Sequence, residues 1–569
     1  MRAGGGRRPA SRWAAALAGL LLVARAGLAQ PRAGAPAAAG STSPAGSAGP
    51  ARATWGSGAA GPPPGAPAGG APAAAAPESA PTAAAAAAAC PDPPACEAQE
   101  VELEPAAEPD DPPIRYELER VDVRGLSRTS PRVVLRYLPF APGDVIDVDD
   151  PEIELSRYRL LGTGFFRSVE LSLDRGSRRG AVVLVVEVEE RNTVVINGIW
   201  LGVSADADTQ GNARPLTAYG GLDVAETNLA GTGITLGGAV GVARDQLALR
   251  VRFFEPTFLG DRYMTSASLV YNDARDFFGN TGVQYSPGLL SGVPDYAVVD
   301  YQRFGGTLGV GRDLGVSTQL WVAYRLERVQ ASVPIAASHR RGLDTEPIDF
   351  SLIDGGSNLS TLRASLQHDT RDHPFLPTRG WLTVLSGEAG LQAFASDYGY
   401  QRAELAISRW WKLPWYRHVL RLELFGGIIA GDAPFFEQYY VGDFSDFLPA
   451  RVLGMNVDRR PSPNLLGTDI LEVRYGEVAA KVGGEYRIPL YRGRRAVYGI
   501  DLFASAGLFS VAARRDLTDP PRGYSGAARV PLDLTANLGT RIDTSAGGFV
   551  FSFSNILGFV PVRNEDRPR

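Results

Sequence analysis

Few residues in this chain have the types and spacings that covalent chemistry requires. The 569 residues include four histidines and two cysteines, Cys90 and Cys96, and no histidine stands at a metal-ligand spacing from a cysteine or an acidic residue. Asp369 and Asp372 are close enough in sequence to suggest acid–base chemistry, but they lie in a run of turn-forming residues. The Gly-Thr-Gly stretch at 231–233 is typical of a turn between strands rather than of a phosphate loop. The sequence therefore predicts no enzyme, no cofactor and no metal site.

The net charge and the N-terminal segment indicate where the protein acts. The net charge is −5, and no block of Lys or Arg is suited to nucleic acid. An arginine-rich start, an apolar run and Gly-Leu-Ala at 27–29 predict a signal peptide over 1–29. No later segment is long and apolar enough for a transmembrane helix. We therefore expect an exported protein with no helical anchor.

Residues 30–112 consist largely of Ala, Pro and Gly. So little bulky apolar surface cannot offset chain entropy, which predicts a disordered periplasmic linker. Cys90 and Cys96 lie in this linker. In an oxidising periplasm they could close a small loop, and two free thiols are the alternative.

Residues 192–569 alternate polar and apolar side chains in segments of about ten residues. In 478–488, for example, Val482 and Tyr486 fall on one face while Glu485 and Arg487 fall on the other. A soluble sheet would turn its apolar face inward, whereas a membrane barrel turns it toward lipid and keeps charges in the lumen. Connections that are alternately long and short favour the barrel. The predicted strands lie near 194–204, 216–226, 233–243, 246–255, 261–272, 299–312, 317–329, 358–368, 380–392, 398–411, 417–430, 475–489, 495–508, 533–543 and 547–557.

Tryptophans at one strand end support the same interpretation. Trp410, Trp411 and Trp415 cluster beside a short turn, as expected of an aromatic girdle at the membrane interface.

Residues 113–191 predict a compact α+β domain with the order strand, helix, helix, strand, strand. This order, with Leu-Gly-Thr-Gly-Phe-Phe at 161–166 before the second strand, resembles a POTRA domain; a generic small α+β domain is the alternative. The resemblance implies a periplasmic domain whose sheet edges accept client or partner strands. We expect the strand at 181–190 to offer such an edge.

Three segments of the predicted barrel have distinctive motifs. They are Glu-Thr-Asn-Leu-Ala-Gly-Thr-Gly at 226–233, Asp-Thr-Arg-Asp-His-Pro at 369–374 continued by Pro-Thr-Arg-Gly at 377–380, and Phe-Phe-Glu-Gln-Tyr-Tyr-Val-Gly at 435–442. Together they resemble the BamA/TamA (bacterial surface antigen) family of outer-membrane assembly factors. The second corresponds to the family's turn motif. Its matching residues are Asp369, Arg371, Asp372, Pro374, Pro377 and Gly380.

The resemblance implies that the sixth outside loop folds back into the lumen, where an arginine meets acidic side chains of the next two strands. Arg451 matches this arginine and Glu485 matches the first acid. The second strand has Ser505 where the family has an aspartate, and Asp501, four residues earlier, is a substitute on the same face. We predict an anchor of Arg451 with Glu485 and Asp501, since guanidinium–carboxylate pairs gain from bidentate geometry. A solvated Arg451 is the alternative.

The last legible strand carries Phe549, Phe551 and Phe553, which resemble the C-terminal assembly signal of outer-membrane barrels. Fifteen strands are legible, whereas barrels of this kind normally have an even number. The predicted fold is a mainly β, 16-stranded antiparallel transmembrane barrel over 192–569, preceded by one POTRA domain.

The resemblance implies a factor of the cell outer membrane, with its N-terminal domain in the periplasm. It would receive unfolded β-rich clients and insert or pass them through a seam between its first and last strands, because an unpaired edge in lipid is costly. A two-partner-type secretion pore for one substrate and a passive porin are the alternatives. The implied partners are outer-membrane lipid, unfolded polypeptide clients and periplasmic or lipoprotein partners.

Overall fold

The computed structural model describes eleven stretches of the chain. They are 58–60, 115–209, 211–278, 284–285, 297–334, 337–341, 344–444, 451–459, 475–493, 496–519 and 532–560. The predicted signal peptide, most of the predicted linker, and Cys90 with Cys96 lie outside the described residues.

Residues 115–190, the small domain, form a four-stranded sheet covered by two helices. Asp150 caps the longer helix by accepting a hydrogen bond from the Glu152 backbone N–H at 2.8 Å, and Pro151 begins that helix. Buried Val, Leu and Phe side chains fill the space between sheet and helices. The elements are β1 (Arg115–Arg124), α1 (Pro131–Leu135), β2 (Val145–Asp147), α2 (Pro151–Gly162), β3 (Phe166–Arg175) and β4 (Ala181–Glu190).

The strand order in this sheet is β2-β1-β4-β3. The strand β4 is therefore central, paired in parallel with β1 and antiparallel with β3. The expectation that 181–190 offers a free edge is wrong, because both of its sides are occupied. The outer strands of the sheet are β2, with three residues, and β3, with ten. The strand β3 therefore presents the longer edge.

Fifteen further strands follow, each antiparallel to the next. They match the fifteen strands predicted from alternation. Their bounds are β5 (Val194–Ala207), β6 (Ala213–Glu226), β7 (Thr235–Ala243), β8 (Gln246–Thr257), β9 (Tyr263–Phe278), β10 (Ala297–Asp313), β11 (Thr318–Ser332), β12 (Gly355–Asp369), β13 (Gly380–Gly390), β14 (Tyr400–Lys412), β15 (Val419–Gly431), β16 (Val478–Arg492), β17 (Val497–Ala512), β18 (Leu532–Thr544) and β19 (Gly547–Val560).

Side chains alternate across the barrel wall as the sequence pattern predicts. On β11, Val322 and Leu326 are exposed on the outside, whereas Arg325 and Glu327 are 3 % and 1 % exposed on the inside. Such a continuous outward apolar surface far exceeds what a soluble monomer presents, and it suits contact with hydrocarbon.

The remaining elements are short. None of the described helices is long and apolar enough to cross a membrane. The short strands are Gly58–Ala60, Gln284–Tyr285, Ala337–Arg341, Asp344–Pro347, Tyr439–Tyr440, Arg451–Val452, Met455–Asn456 and Tyr475–Gly476; the helices and 3-10 turns are Phe258–Asp261, Arg514–Thr518, Leu229–Gly231, Gln392–Phe394, Phe435–Glu437 and Val441–Phe444.

The sheet has sixteen members, and the sixteenth is the three-residue strand Gly58–Ala60, which pairs in parallel with Phe549–Phe551 of β19. Because an odd number of antiparallel strands separates them, β5 and β19 run in the same direction. Among the described residues no ladder joins β5 to β19. Their backbones meet at one end, where the Ile196 N–H donates to Ala546 O at 2.8 Å. We call the junction of β5 and β19 the seam.

The small domain packs against the barrel at the end where β10 stops. The guanidinium groups of Arg136 and Arg159, from α1 and α2, contact the Asp313 carboxylate at 2.6 and 2.5 Å. The Asn228 side chain also donates to Thr129 Oγ1 at 2.8 Å. We call the half of the lumen at this end of the barrel the near half, and the half at the opposite end the far half.

Candidate functional site in the barrel lumen

The long connection between β15 and β16 folds into the far half of the lumen. Its described residues, 432–444, 451–459 and 475–477, are called the plug. Phe435 and Phe436 are buried there. The Phe436 ring stacks on Tyr301 at 5.1 Å between centroids, and Phe435 packs edge-on against Phe278 at 5.2 Å. Aromatic pairs in these geometries add to the gain from burial, so the far half is a packed apolar core.

The plug reaches the opposite wall of the barrel. The Gln246 side chain donates to Asn456 O at 3.0 Å, and the Asn272 side chain donates to Leu453 O at 3.2 Å. Both donors belong to β8 and β9. Through these contacts, the connection that leaves from β15 spans the lumen.

A buried carboxylate, Glu437, fastens the base of the plug. Arg325 and Arg402 donate to its oxygens at 2.6 and 2.5 Å. Arg325 also donates to Glu388 at 2.8 Å, and the Tyr400 hydroxyl donates to the same carboxylate at 2.9 Å. Buried charges persist only when paired and hydrogen-bonded, and this network, with the plug and the wall each supplying partners, meets that requirement.

The sequence analysis missed this network, although its signal is present. Glu437 is the one charged residue of the Phe-Phe-Glu-Gln-Tyr-Tyr segment, and Arg325 and Arg402 lie at lumen-facing positions of the alternating strands. Alternation places a charge inside the barrel but does not say which charge on another strand it meets.

The predicted anchor of Arg451 is not what the structure shows. Arg451 lies in the far half, 3.8 Å from the Asp443 carboxylate and over the rings of Tyr440 and Tyr475. Glu485 instead pairs with Arg541 and Arg487. The prediction fails because Glu485 lies closer to the near end than Arg451. The Glu485 carboxylate pairs instead with Arg487 of its own strand and Arg541 of a nearby strand.

The remaining residues of the predicted anchor lie in the near half. The Glu485 carboxylate receives Arg541 at 2.5 Å and Arg487 at 3.4 Å. Asp501 is fully buried and contacts Arg487 at 3.4 Å and Arg492 at 2.5 Å. Asp501 is thus an acid of the lumen, but its partners are wall arginines rather than Arg451.

Ser505, where the resemblance implies an aspartate, is the direct cross-strand partner of Glu485. The Asn537 side chain donates to its hydroxyl at 3.0 Å. Trp410 also turns into the near half, where it is 6 % exposed. Its predicted place in the outer girdle is therefore wrong; Trp381 and Trp415 are the exposed tryptophans at that end.

The turn motif at 369–380 builds a rigid connection at the near end. Arg371 forks onto Asp369 at 2.9 and 2.7 Å, and Asp372 accepts from the backbone N–H of Thr378 at 2.7 Å. Gly380 has φ of +106°, and a side chain there would meet the Thr370 carbonyl. These aspartates hold the turn, as predicted. Of the two prolines, Pro374 accepts from Arg371 at 3.4 Å and Pro377 accepts from Arg487.

A histidine of this turn, His373, has its Nε2 3.8 Å from the Asp543 carboxylate. Burial lowers the pKa of His373. Its Nδ1 accepts from the backbone N–H of Leu376 at 3.1 Å. The role of His373 is to shape the turn.

The terminal strand carries the three phenylalanines of the predicted assembly signal. Phe551 and Phe553 are 51 % and 78 % exposed on the outer face, and Phe549 is half-buried. They occupy alternate positions of β19. Their role as an assembly signal stays a prediction.

The junction between the small domain and the barrel contains an ordered carboxylate, Glu190. Partial burial opposes its charged form, but hydrogen bonds from Ser127 and from the backbone N–H groups of Thr129 and Arg128 outweigh this and lower the pKa of Glu190 to about 2. The loop that contacts the barrel is thereby pinned to the end of β4.

The fold and lumen define a class, a membrane-type β-barrel with a plugged interior and a docked POTRA domain. Residues 228–447 match the Omp85 superfamily domain, and residues 116–191 match the POTRA domain, described as the surface antigen variable number repeat. The chain belongs to the Omp85 superfamily, so the predicted family is confirmed and the small domain is a POTRA domain. This membership implies an outer-membrane barrel with the POTRA domain in the periplasm, and the near half is then the periplasmic one.

Solved structures that match this chain share little of its sequence. BamA from Haemophilus ducreyi lacking POTRA domains 1–3 is 15 % identical, with a TM-score of 0.41 over 78 % of this chain and 81 % of that one. CdiB from Escherichia coli is 12 % identical, with a TM-score of 0.48 over 78 % and 73 %. CdiB from Acinetobacter baumannii is 13 % identical, with a TM-score of 0.45 over 78 % and 74 %. No curated protein matches the sequence.

Proposed function

We propose that this protein is an outer-membrane assembly factor that receives unfolded β-rich polypeptides on its POTRA domain and inserts them through the seam. Its partners would be outer-membrane lipid, polypeptide clients and periplasmic or lipoprotein partners. No catalysis, cofactor or metal enters the proposal. The signal peptide at 1–29 and the linker at 30–112 belong to the same proposal.

The observation that carries the proposal is a contrast between two ways through the barrel. Leaving through the lumen requires withdrawing the plug, which separates Glu437 from two buried arginines and exposes an aromatic core. Breaking one buried ion pair alone costs about 3–5 kcal/mol. Opening the seam separates strands whose described backbones meet only near Ile196 and one buried ion pair, Arg191 with Asp543. Lateral release therefore disrupts fewer described contacts than withdrawal of the plug.

The seam also offers what an incoming strand needs. Its edge of β19 presents backbone groups that must find partners in lipid, and Gly58–Ala60 already pairs with that edge. The POTRA domain stands beside the same end of the barrel. A client held on the outer strand β3 would lie near the seam's periplasmic end, where Arg191 and Asp543 pair at 2.9 Å.

Two engineered disulfides distinguish the assembly-factor hypothesis from the secretion-pore hypothesis. The seam lock is Ile196→Cys with Ala546→Cys. The plug lock is Gly241→Cys with Val452→Cys, since a side chain at Gly241 would lie 3.0 Å from Val452. In each, Cys90 and Cys96 are replaced by Ser so that only the designed pair can form.

The readout is the amount of outer-membrane barrel proteins in cells that depend on the variant, with and without reductant. We expect the seam lock to deplete one or more barrels reversibly and the plug lock to leave them unchanged. A matched control joins Leu222→Cys to Val240→Cys, which are cross-strand partners within the continuous wall. If only the plug lock blocks transport, the protein is a secretion pore; a steady open conductance in the unmodified protein would make it a porin.

A further inference from the structure

The near half of the lumen contains a cavity of about 250 Å³ that is rich in arginine. It lies under the turn motif, inside β14 to β18. Four arginines and two glutamates line it, together with apolar side chains. The charged lining residues are Arg371, Arg421, Arg487, Arg541, Glu423 and Glu485.

One of these guanidinium groups keeps an unused donor. The buried Nε of Arg421 has no hydrogen-bond acceptor among the described residues. Arg487 is 1 % exposed, and its Nε lies 3.4 Å from the Glu485 carboxylate without forming a hydrogen bond. A buried donor without an acceptor is costly, more so on a charged group. The cavity therefore favours an additional anionic acceptor.

The position of Ser505 explains why the cavity has room for one. Ser505 lines the cavity and faces Glu485 across the strand pair, in the same row as Arg421. Its short hydroxyl leaves space in this row beside the Arg421 guanidinium.

The other side chains that line the cavity restrict which anions it can bind. Glu423 and Glu485 disfavour a dianion such as phosphate more than a single carboxylate. Phe375, Leu382 and Trp410 give one side of the cavity an apolar surface. Outward-facing Leu422 and Tyr486 stand between the cavity and lipid, so a lipid headgroup has no direct route, whereas a chain in the lumen does.

We propose that this cavity binds a carboxylate on a polypeptide segment, with a bulky apolar side chain beside the carboxylate on the Trp410 wall. Arg421 supplies the free donor, Arg487 adds positive charge, and Ser505 leaves the space. That the natural ligand is a client depends on the proposed function, but carboxylate binding itself does not.

The test is isothermal titration of the full chain in detergent micelles with the peptide acetyl-Ala-Val-Phe, as the free acid and as its C-terminal amide. We expect the acid to bind about tenfold or more tightly than the amide, since charge-assisted hydrogen bonds to guanidinium are strong. Inorganic phosphate should compete less well than acetate. Equal binding of acid and amide, no binding of either, or stronger competition by phosphate would overturn the proposal.

Two variants and a control locate the effect. Ser505→Asp places a fixed carboxylate in the cavity and should remove the preference for the acid while raising the unfolding temperature. Arg421→Gln should remove the preference by removing a donor. Arg515→Gln, a matched charge change at an exposed arginine that is not part of the lining, should keep it. Retention of the preference in Ser505→Asp and Arg421→Gln would show that the peptide binds elsewhere.

Discussion

The two halves of the lumen are stabilised by different parts of the chain. The far half is packed from within, because the plug brings aromatic rings and the Glu437 carboxylate to the wall. The near half keeps a cavity and is held from outside, where the POTRA domain places Arg136 and Arg159 on Asp313. The far half therefore contains the packed plug, whereas the near half contains a cavity.

The variant Glu437→Gln should have the largest effect, and it tests whether the plug stabilises the far half. The variant leaves Arg325 and Arg402 buried without one of their carboxylates, which should cost about 3–5 kcal/mol. We expect the plug to leave the lumen part of the time, so single-channel recordings of the variant should show longer open intervals than those of the unmodified protein. The control Glu346→Gln removes a partly exposed partner of Arg515 and should leave the recordings unchanged. Identical conductance in both variants would show that Glu437 does not fasten the plug.

A second large effect is expected from Phe435→Ala. Phe435 is 2 % exposed and packs against Phe278 and Tyr475, so truncation should lower the free energy of unfolding by about 3 kcal/mol. The measurement is thermal unfolding in detergent micelles. Phe553→Ala, on the outer face, should have a much smaller effect; equal losses would contradict a packed far half.

The near half is tested from the outside by Asp313→Asn. Removing this carboxylate leaves Arg136 and Arg159 facing each other's charge and should weaken docking of the POTRA domain by about 2 kcal/mol. Hydrogen exchange in α2 should increase while exchange in the barrel strands stays the same. The matched control Glu154→Gln removes a partner of the exposed Arg379 and should change exchange much less.

The smallest effect concerns pH. Because the pKa of Glu190 is lowered to about 2 in the folded protein, its contribution is present above its ordinary value of about 4.5 and disappears as the pH falls toward 2. After solvent screening this contribution is at most about 1 kcal/mol. The unfolding temperatures of the unmodified protein and Glu190→Gln should differ at pH 7 and converge by pH 2. A constant difference would assign the effect to packing instead.

The sequence determined the strands and their orientation. All fifteen barrel strands, the outward apolar face and the turn at 369–380 follow from patterns within about ten residues, since side-chain alternation and turn chemistry are local properties. The same local patterns predicted the α+β order of the POTRA domain except for the three-residue strand β2 between its helices.

The tertiary structure alone decided which charges meet. Glu485 pairs with Arg541 instead of Arg451, and Glu437 finds arginines more than thirty residues away, because pairing across a barrel depends on strand tilt and register that no local pattern encodes. Register also turned Trp410 inward. The parallel seam has the same origin, since the relation between the first and last strands depends on the total number of strands between them.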